Sequence, residues 1–160
     1  MIASMWRGHV VSIHVAREAS APMDTLAEAR AVPGRGLEGD RYFLGTGFYS
    51  NRPGVGGREI TLIETETLDA LATTLNIKLP AVESRRNIAT SGAPLNHLVD
   101  REFWVGEVRL LGTRLCEPCM HLEQLTRLQG VLSGLVHRGG LRARILNEGV
   151  IRTGDAIRPA

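Results

Sequence analysis

The sequence has one lysine (Lys78), two cysteines and few aromatic residues, and each scarcity narrows what the chain can do. An aromatic content of 4% leaves too few rings for a surface that stacks the bases of single-stranded nucleic acid. The net charge of +2 is too small for a phosphate-neutralising face, so nucleic acid is not an expected partner. No run of about 18 apolar residues occurs, which excludes a membrane-spanning helix. The opening residues, Met1-Ile2-Ala3-Ser4-Met5-Trp6-Arg7, lack a charged start followed by an apolar stretch. No secretion signal is read there, and a cytoplasmic location is expected, with both cysteines reduced. No Ser-His-Asp set, paired-carboxylate signature, HExxH, EF-hand or Walker loop is present.

What is present is ordinary in bulk: 43% hydrophobic and 22% charged residues over 160 positions. That describes one globular domain, residues 1–160, large enough to bury a core without staples. With lysine nearly missing, almost every cation is arginine. Coding bias in a GC-rich genome accounts for this; so does the use of guanidinium forks for phosphate or another oxyanion, and the two are compatible.

Residues 8–16 alternate as a strand, with Val11, Ile13 and Val15 on one side and His14 on the other, solvated or hydrogen-bonded. Residues 25–32 read as a strand through the alternate positions Leu26, Glu28, Arg30 and Val32. Residues 34–57 are dense in glycine and are expected to form an irregular functional loop around Gly36-Leu37-Glu38-Gly39-Asp40-Arg41. Its glycines let backbone approach a ligand, and Arg41 adds a fork. Residues 58–64 read as a buried strand leading into an amphipathic helix with Leu68, Leu71, Ala72 and Leu75 on one face.

Residues 84–90 read as a short strand that sends Arg85 and Asn87 to one face and Arg86 to the other. An inward-facing Arg85 would need a buried anionic partner. A one-turn helix is expected at residues 95–99, and a hairpin joins residues 102–106 to 108–115. Helices follow at 118–128 and 129–137, the second ending at His137-Arg138-Gly139-Gly140, where the helix dipole favours a cation. Residues 142–147 and 156–159 complete the strands. Seven or eight short strands with a few helices between them, not strictly alternating, point to a mainly β protein, a mixed or closed β-barrel with peripheral helices.

The chemistry concentrates in Arg114-Leu115-Cys116-Glu117-Pro118-Cys119-Met120-His121. Pro118 suits the first turn of a helix, which sets Cys119 beside free N–H groups that favour thiolate. A Cys-x-x-Cys pair admits a redox dithiol, half a zinc site completed by His121 and His137, two inert core thiols, or one accessible thiolate, Cys119, with Cys116 behind it.

The ordered set Gly36-Leu37-Glu38-Gly39-Asp40-Arg41, Arg85-Arg86-Asn87-Ile88, Leu95-Asn96-His97-Leu98-Val99, Phe103-Trp104-Val105-Gly106, Cys116-x-Pro118-Cys119 and Gly154-Asp155 resembles the MOSC domain family, named for the C-terminal domain of molybdenum cofactor sulfurases. The resemblance runs from about His9 to Pro159. It implies a pyruvate-kinase-barrel-like β-barrel and binding of the molybdenum cofactor, a pterin dithiolene with a phosphate tail. It places the metal-ligating, catalytic cysteine at Cys119, and cofactor contacts at Asp40, Arg41, Arg85, Asn87 and Arg138. It further implies either molybdenum-dependent reduction of N-hydroxylated compounds with an electron-donor protein, or carriage of sulfur or cofactor to a molybdoenzyme. A non-catalytic module that holds a pterin phosphate or oxyanion and docks onto a molybdoenzyme is the alternative. The sulfurases' pyridoxal-phosphate domain has no counterpart in the sequence, so pyridoxal phosphate is not expected; nor does the amidoxime reducers' substrate pocket carry over.

Overall fold

In the computed structural model, residues 5–48, 50, 58–117 and 120–160 are described. Eleven strands and four short α-helices are assigned among them. The strands are β1 (Gly8–Val15), β2 (Asp24–Leu26), β3 (Glu28–Val32), β4 (Gly36–Leu37), β5 (Ile60–Glu64), β6 (Ile88–Ser91), β7 (Glu102–Val105), β8 (Val108–Leu115), β9 (Leu141–Ile145), β10 (Gly149–Arg152) and β11 (Ala156–Pro159). The helices are α1 (Arg41–Leu44), α2 (Thr65–Leu75), α3 (Met120–Thr126) and α4 (Val131–Gly134).

The large sheet runs β11-β7-β8-β9-β5-β6-β1-β2, and β11 also pairs with β1. That extra pairing closes seven strands into a mixed barrel, with β2 added to the outside of the ring. Closure removes the unpaired edges that an open sheet of this size would expose. The β5–β6 pair is parallel, and the other named pairs of the ring are antiparallel. A second sheet, β10-β3-β4, contributes Ala29, Ala31, Leu37 and Ile151 to the same core as the barrel.

Inside the barrel, Ile60, Leu62, Ile88, Phe103, Leu110 and Leu141 are fully buried. Outside it, Ile63 and Ala89 pack with Leu68, Leu71, Leu122, Val131 and Leu135 of the helices. β5 is therefore covered on both faces, which is why its sequence reads as an apolar run rather than an alternation. Eleven residues are too few for α2 to persist alone, so this packing holds it. Its left-handed C-cap is Asn76, a residue that tolerates that conformation.

Several expectations are corrected. In β1 Ile13 and Val15 are buried as read, but Val11 is 39% exposed and Val10 is buried in its place. A bulge between Val10 and Ser12 shifts the pairing with β6, so the alternation changes phase before Ile13. The glycine-rich segment is not wholly irregular: it holds β4 and the one-turn α1. Residues 84–87 are not strand: a 3₁₀ turn, Ala81–Ser84, ends at Arg85 in the left-handed region, and β6 begins only at Ile88. Leu75, placed on the apolar face of its helix, is 49% exposed. β10, not among the strands read from sequence, pairs with β3.

The start of β9 shows how closely backbone is packed. Gly140 has φ +110°, and a Cβ there would lie 2.0 Å from the Leu62 carbonyl oxygen. Its own carbonyl accepts the Cys116 N–H at 2.7 Å. Gly140→Ala combines a disfavoured φ with a backbone clash and is expected to cost more than about 2 kcal/mol in urea unfolding.

Candidate functional site

Three chain segments meet on the outer surface of the barrel beside the helices. Their junction is a cleft lined by Arg41, Arg85, Arg86, Arg142, Thr61 and Cys116 among others. Four of those six side chains are guanidinium groups. The one carboxylate on the lining, Glu117, is already occupied: its Oε1 accepts the His137 N–H at 2.7 Å, and its Oε2 lies 3.0 Å from His137 Nδ1.

Arg41 is delivered by the short α1. Asp40 is its N-cap, fully buried, with Oδ2 accepting the Tyr42 N–H at 3.4 Å and Oδ1 accepting the Ala16 N–H at 3.1 Å. The same Oδ1 accepts from Arg41 NH1 at 3.0 Å, and Arg41 NH2 donates to the Arg85 carbonyl at 3.2 Å. Asp40 thus fixes one cation at the rim while staying off the cleft surface itself.

Arg85 owes its position to its left-handed backbone, which turns it out of the path into β6. Its NH1 donates to the Ala21 carbonyl. Burial pushes its pKa down to about 10, helped by the neighbouring Arg41 and Arg86 cations and opposed by Asp40 and Tyr42. It remains charged at neutral pH, in surroundings that disfavour the charge.

Arg86 is the most enclosed of the four in its bonding. At 8% exposure it donates from Nε to the Gly139 carbonyl at 2.8 Å, from NH1 to the Ser84 carbonyl at 3.3 Å and from NH2 to the Cys116 carbonyl at 3.2 Å. Among the described residues no carboxylate pairs with it. Removing a guanidinium from water costs several kcal/mol, and hydrogen bonds from a charged donor return about 1.5–3 kcal/mol each. The two are of similar size, so Arg86 adds little net stability. What it contributes is position and a charge that no acid cancels.

The sequence-derived candidates divide. Arg41 and Arg85 line the cleft. Asp40 supports Arg41 from behind. Asn87 is used within the barrel wall: its Oδ1 accepts the Thr61 N–H at 3.1 Å, and its Nδ2 donates to the His14 carbonyl at 3.1 Å. Arg138 does not line the cleft; its Nε donates to the Gly134 carbonyl at 2.9 Å and caps α4. Cys119, with Pro118, lies outside the described residues. Cys116 is 2% exposed, with its backbone bound by Gly140 and Arg86.

Sequence reasoning missed Arg86 and Arg142. Arg86 was assigned to the opposite face from Arg85 by strand alternation, which the left-handed Arg85 invalidates. Arg142 stands in β9 opposite Thr61, on the strand face away from the core. Its signal was an arginine alternating with core residues in Leu141-Arg142-Ala143-Arg144-Ile145, which by itself marks only an outward position.

The donor set suits an anionic group with phosphate oxygens, which guanidinium forks bind in bidentate fashion. Among the described residues there is no cluster of three or more His, Cys, Asp or Glu side chains placed to hold a metal.

Two predictions follow from this packing. Asp40→Ala removes a helix cap, strands the buried Ala16 N–H and unpairs Arg41, and is expected to lower stability by about 2–4 kcal/mol in chemical denaturation. His14 is 1% exposed, with Nδ1 3.0 Å from the Arg86 carbonyl; burial lowers its pKa below the usual 6.5, against the effect of that bond. The unfolded chain therefore takes up a proton as pH falls through 6.5 while the folded chain does not. Stability is expected to decline on acidification below that point, and His14→Gln to flatten the decline, in urea titrations at about pH 7.5 and 5.5.

Comparison with known proteins agrees with the fold. The family model described as MOSC domain matches residues 50–158. The fold is similar to the YuaD protein from Bacillus subtilis (TM-score 0.79, 17% identity, 96% of this chain and 97% of that one). It is also similar to YiiM from Geobacillus stearothermophilus (TM-score 0.73, 14% identity, 96% and 75%) and YiiM from Escherichia coli (TM-score 0.67, 14% identity, 96% and 69%). No curated protein matches the sequence.

Proposed function

The chain belongs to the MOSC domain family, and from that membership we propose that it binds the molybdenum cofactor in the arginine-lined cleft, with Cys119 as the metal's protein ligand. The observation that supports the reading most is the charge balance of the cleft. Arg41, Arg85, Arg86 and Arg142 face it, while its lining carboxylate, Glu117, is taken up by His137. A site so arranged is destabilised when empty of anions and relieved when one enters.

Each residue has a defined part. Arg41 and Arg85 hold phosphate oxygens near the rim, where Asp40 and the Ala21 carbonyl fix their directions. Arg86 holds the Cys116 carbonyl, three residues before Cys119 in the sequence. The uncancelled positive charge of the cleft favours thiolate over thiol at a cysteine that faces it. Thiolate sulfur suits a soft metal centre. When bound, the cofactor supplies two-electron oxygen-atom or sulfur chemistry, and the protein supplies binding, orientation and electrostatics.

In this reading the protein reduces N-hydroxylated compounds with electrons from a partner protein, or hands sulfur or cofactor to a molybdoenzyme. Turnover of a hydroxylamine by cofactor-loaded protein with an electron donor separates the first from the second, since a carrier gives none. The ligand assignment is tested by metal analysis of protein purified anaerobically from a cofactor-competent host. Wild type is expected to carry molybdenum and Cys119→Ser to have lost it. Equal molybdenum in both removes Cys119 as the ligand.

A further inference from the structure

The arginines of the cleft continue along the barrel wall. In the β8–β9 ladder Arg114 stands directly opposite Arg142, which in turn stands opposite Thr61 of β5. Two like charges paired across neighbouring strands repel, an arrangement sheets ordinarily avoid. Several other arginines of the surface have a partner. Arg30 pairs with Glu148, Arg109 with Glu102 and Arg152 with Glu107, and Arg158 lies over the Trp104 ring.

At Arg114 and Arg142 no such compensation is present. Among the described residues neither guanidinium has a carboxylate within ion-pair distance. Neighbouring acids are committed elsewhere. Glu59 Oε1 accepts the Gly34 N–H at 2.7 Å and the Ile145 N–H at 3.3 Å, and Glu117 is bound to His137. Arg114's pKa is held below its usual value, by burial first and then by Arg142 and Arg58, against an opposing effect of Cys116.

We propose that Arg142 and Arg114 form an anion subsite at the edge of the cleft, which takes one phosphate of a diphosphate-type ligand whose other anionic group lies against Arg41 and Arg85. Arg142 belongs to both parts: it lines the cleft and faces Arg114 across the ladder. An oxyanion between two guanidinium forks accepts from both and converts their repulsion into a bridge. The ligand class is thus a phosphorylated molecule with at least two separated negative groups. This inference does not require molybdenum, and it names residues to which the cofactor proposal assigns no separate role.

The test uses the full chain purified without added cofactor, inorganic pyrophosphate as the probe, and fixed ionic strength. Calorimetry gives the Kd and thermal melting gives Tm with and without the ion. Arg114→Gln is expected to weaken pyrophosphate binding by about tenfold, the loss of one charge-assisted contact. Without pyrophosphate the same variant is expected to melt at the wild-type temperature or above it, because a repulsion has been removed. Arg158→Gln, an equal change of charge on β11, is expected to leave the Kd unchanged.

An unchanged Kd in Arg114→Gln overturns the proposal. So does equal weakening by Arg158→Gln, which would reduce the effect to general surface charge. A drop in ion-free Tm for Arg114→Gln would show a structural role for Arg114 and also count against it. The molybdenum content of Cys119→Ser bears on the cofactor proposal alone, so either can fail while the other stands.

Discussion

The hydrogen bonds of the Arg86 guanidinium to the carbonyls of Ser84, Gly139 and Cys116 join the three segments from which the cleft is made. Those carbonyls belong to the turn before β6, the glycine pair before β9 and the segment that leaves β8. The last two are already joined by the Cys116 N–H to Gly140 carbonyl bond, and Arg86 ties the turn before β6 to both. A neutral side chain could not satisfy three carbonyls at once, and lysine has no planar fork to aim in three directions. The choice of arginine therefore fixes where backbone stops being sheet and starts being site.

The same choice has an electrostatic consequence. A buried cation bonded only to carbonyls keeps its charge, whereas Arg41 shares its own with Asp40. Arg85 and Arg142 add two more cations to the same cleft, and burial first, then Arg41 and Arg86, lower the Arg85 pKa. Stability alone would favour a carboxylate here. The one lining carboxylate, Glu117, is hydrogen-bonded to His137 instead, and the barrel behind supplies the rigidity that keeps the guanidinium groups apart.

How far this was legible in the sequence depends on what fixed each feature. The barrel was legible because period-two patterning and a scarcity of helix-length patterns are properties of local sequence. The hairpin at Gly106-Glu107 and the buried β5 were read correctly for that reason. The bulge in β1 was not, since a single extra residue changes parity without changing composition. Arg85 was recognised as a candidate but Arg86 was assigned to the opposite face and missed, because a left-handed non-glycine residue leaves no trace in the pattern. Arg142 and Arg114 could not be paired from sequence at all. Their opposition is set by the β8–β9 register, which a second irregularity between Gly112 and Arg114 displaces. Cys119 was singled out by spacing and resemblance, and it lies outside the described residues.

The topology explains why these features gather in one place. The β5–β6 pair is parallel, and a parallel pair needs a crossover of a dozen or more residues. Here α2 and the Ala81–Ser84 turn supply it, returning the chain to the start of β6 through Arg85, Arg86 and Asn87. The β8-to-β9 connection is likewise long, because it carries α3 and α4, and it returns through Gly139 and Gly140. Both crossovers lie on the same outer face, packed on Ile63 and Ala89. Their returning ends must therefore pass close to each other, and Arg86 is the residue that joins them. A barrel connected only by hairpins would have no such junction. The site is a consequence of two long connections sharing one wall, with Gly140 admitting the close approach to Leu62 that lets them meet.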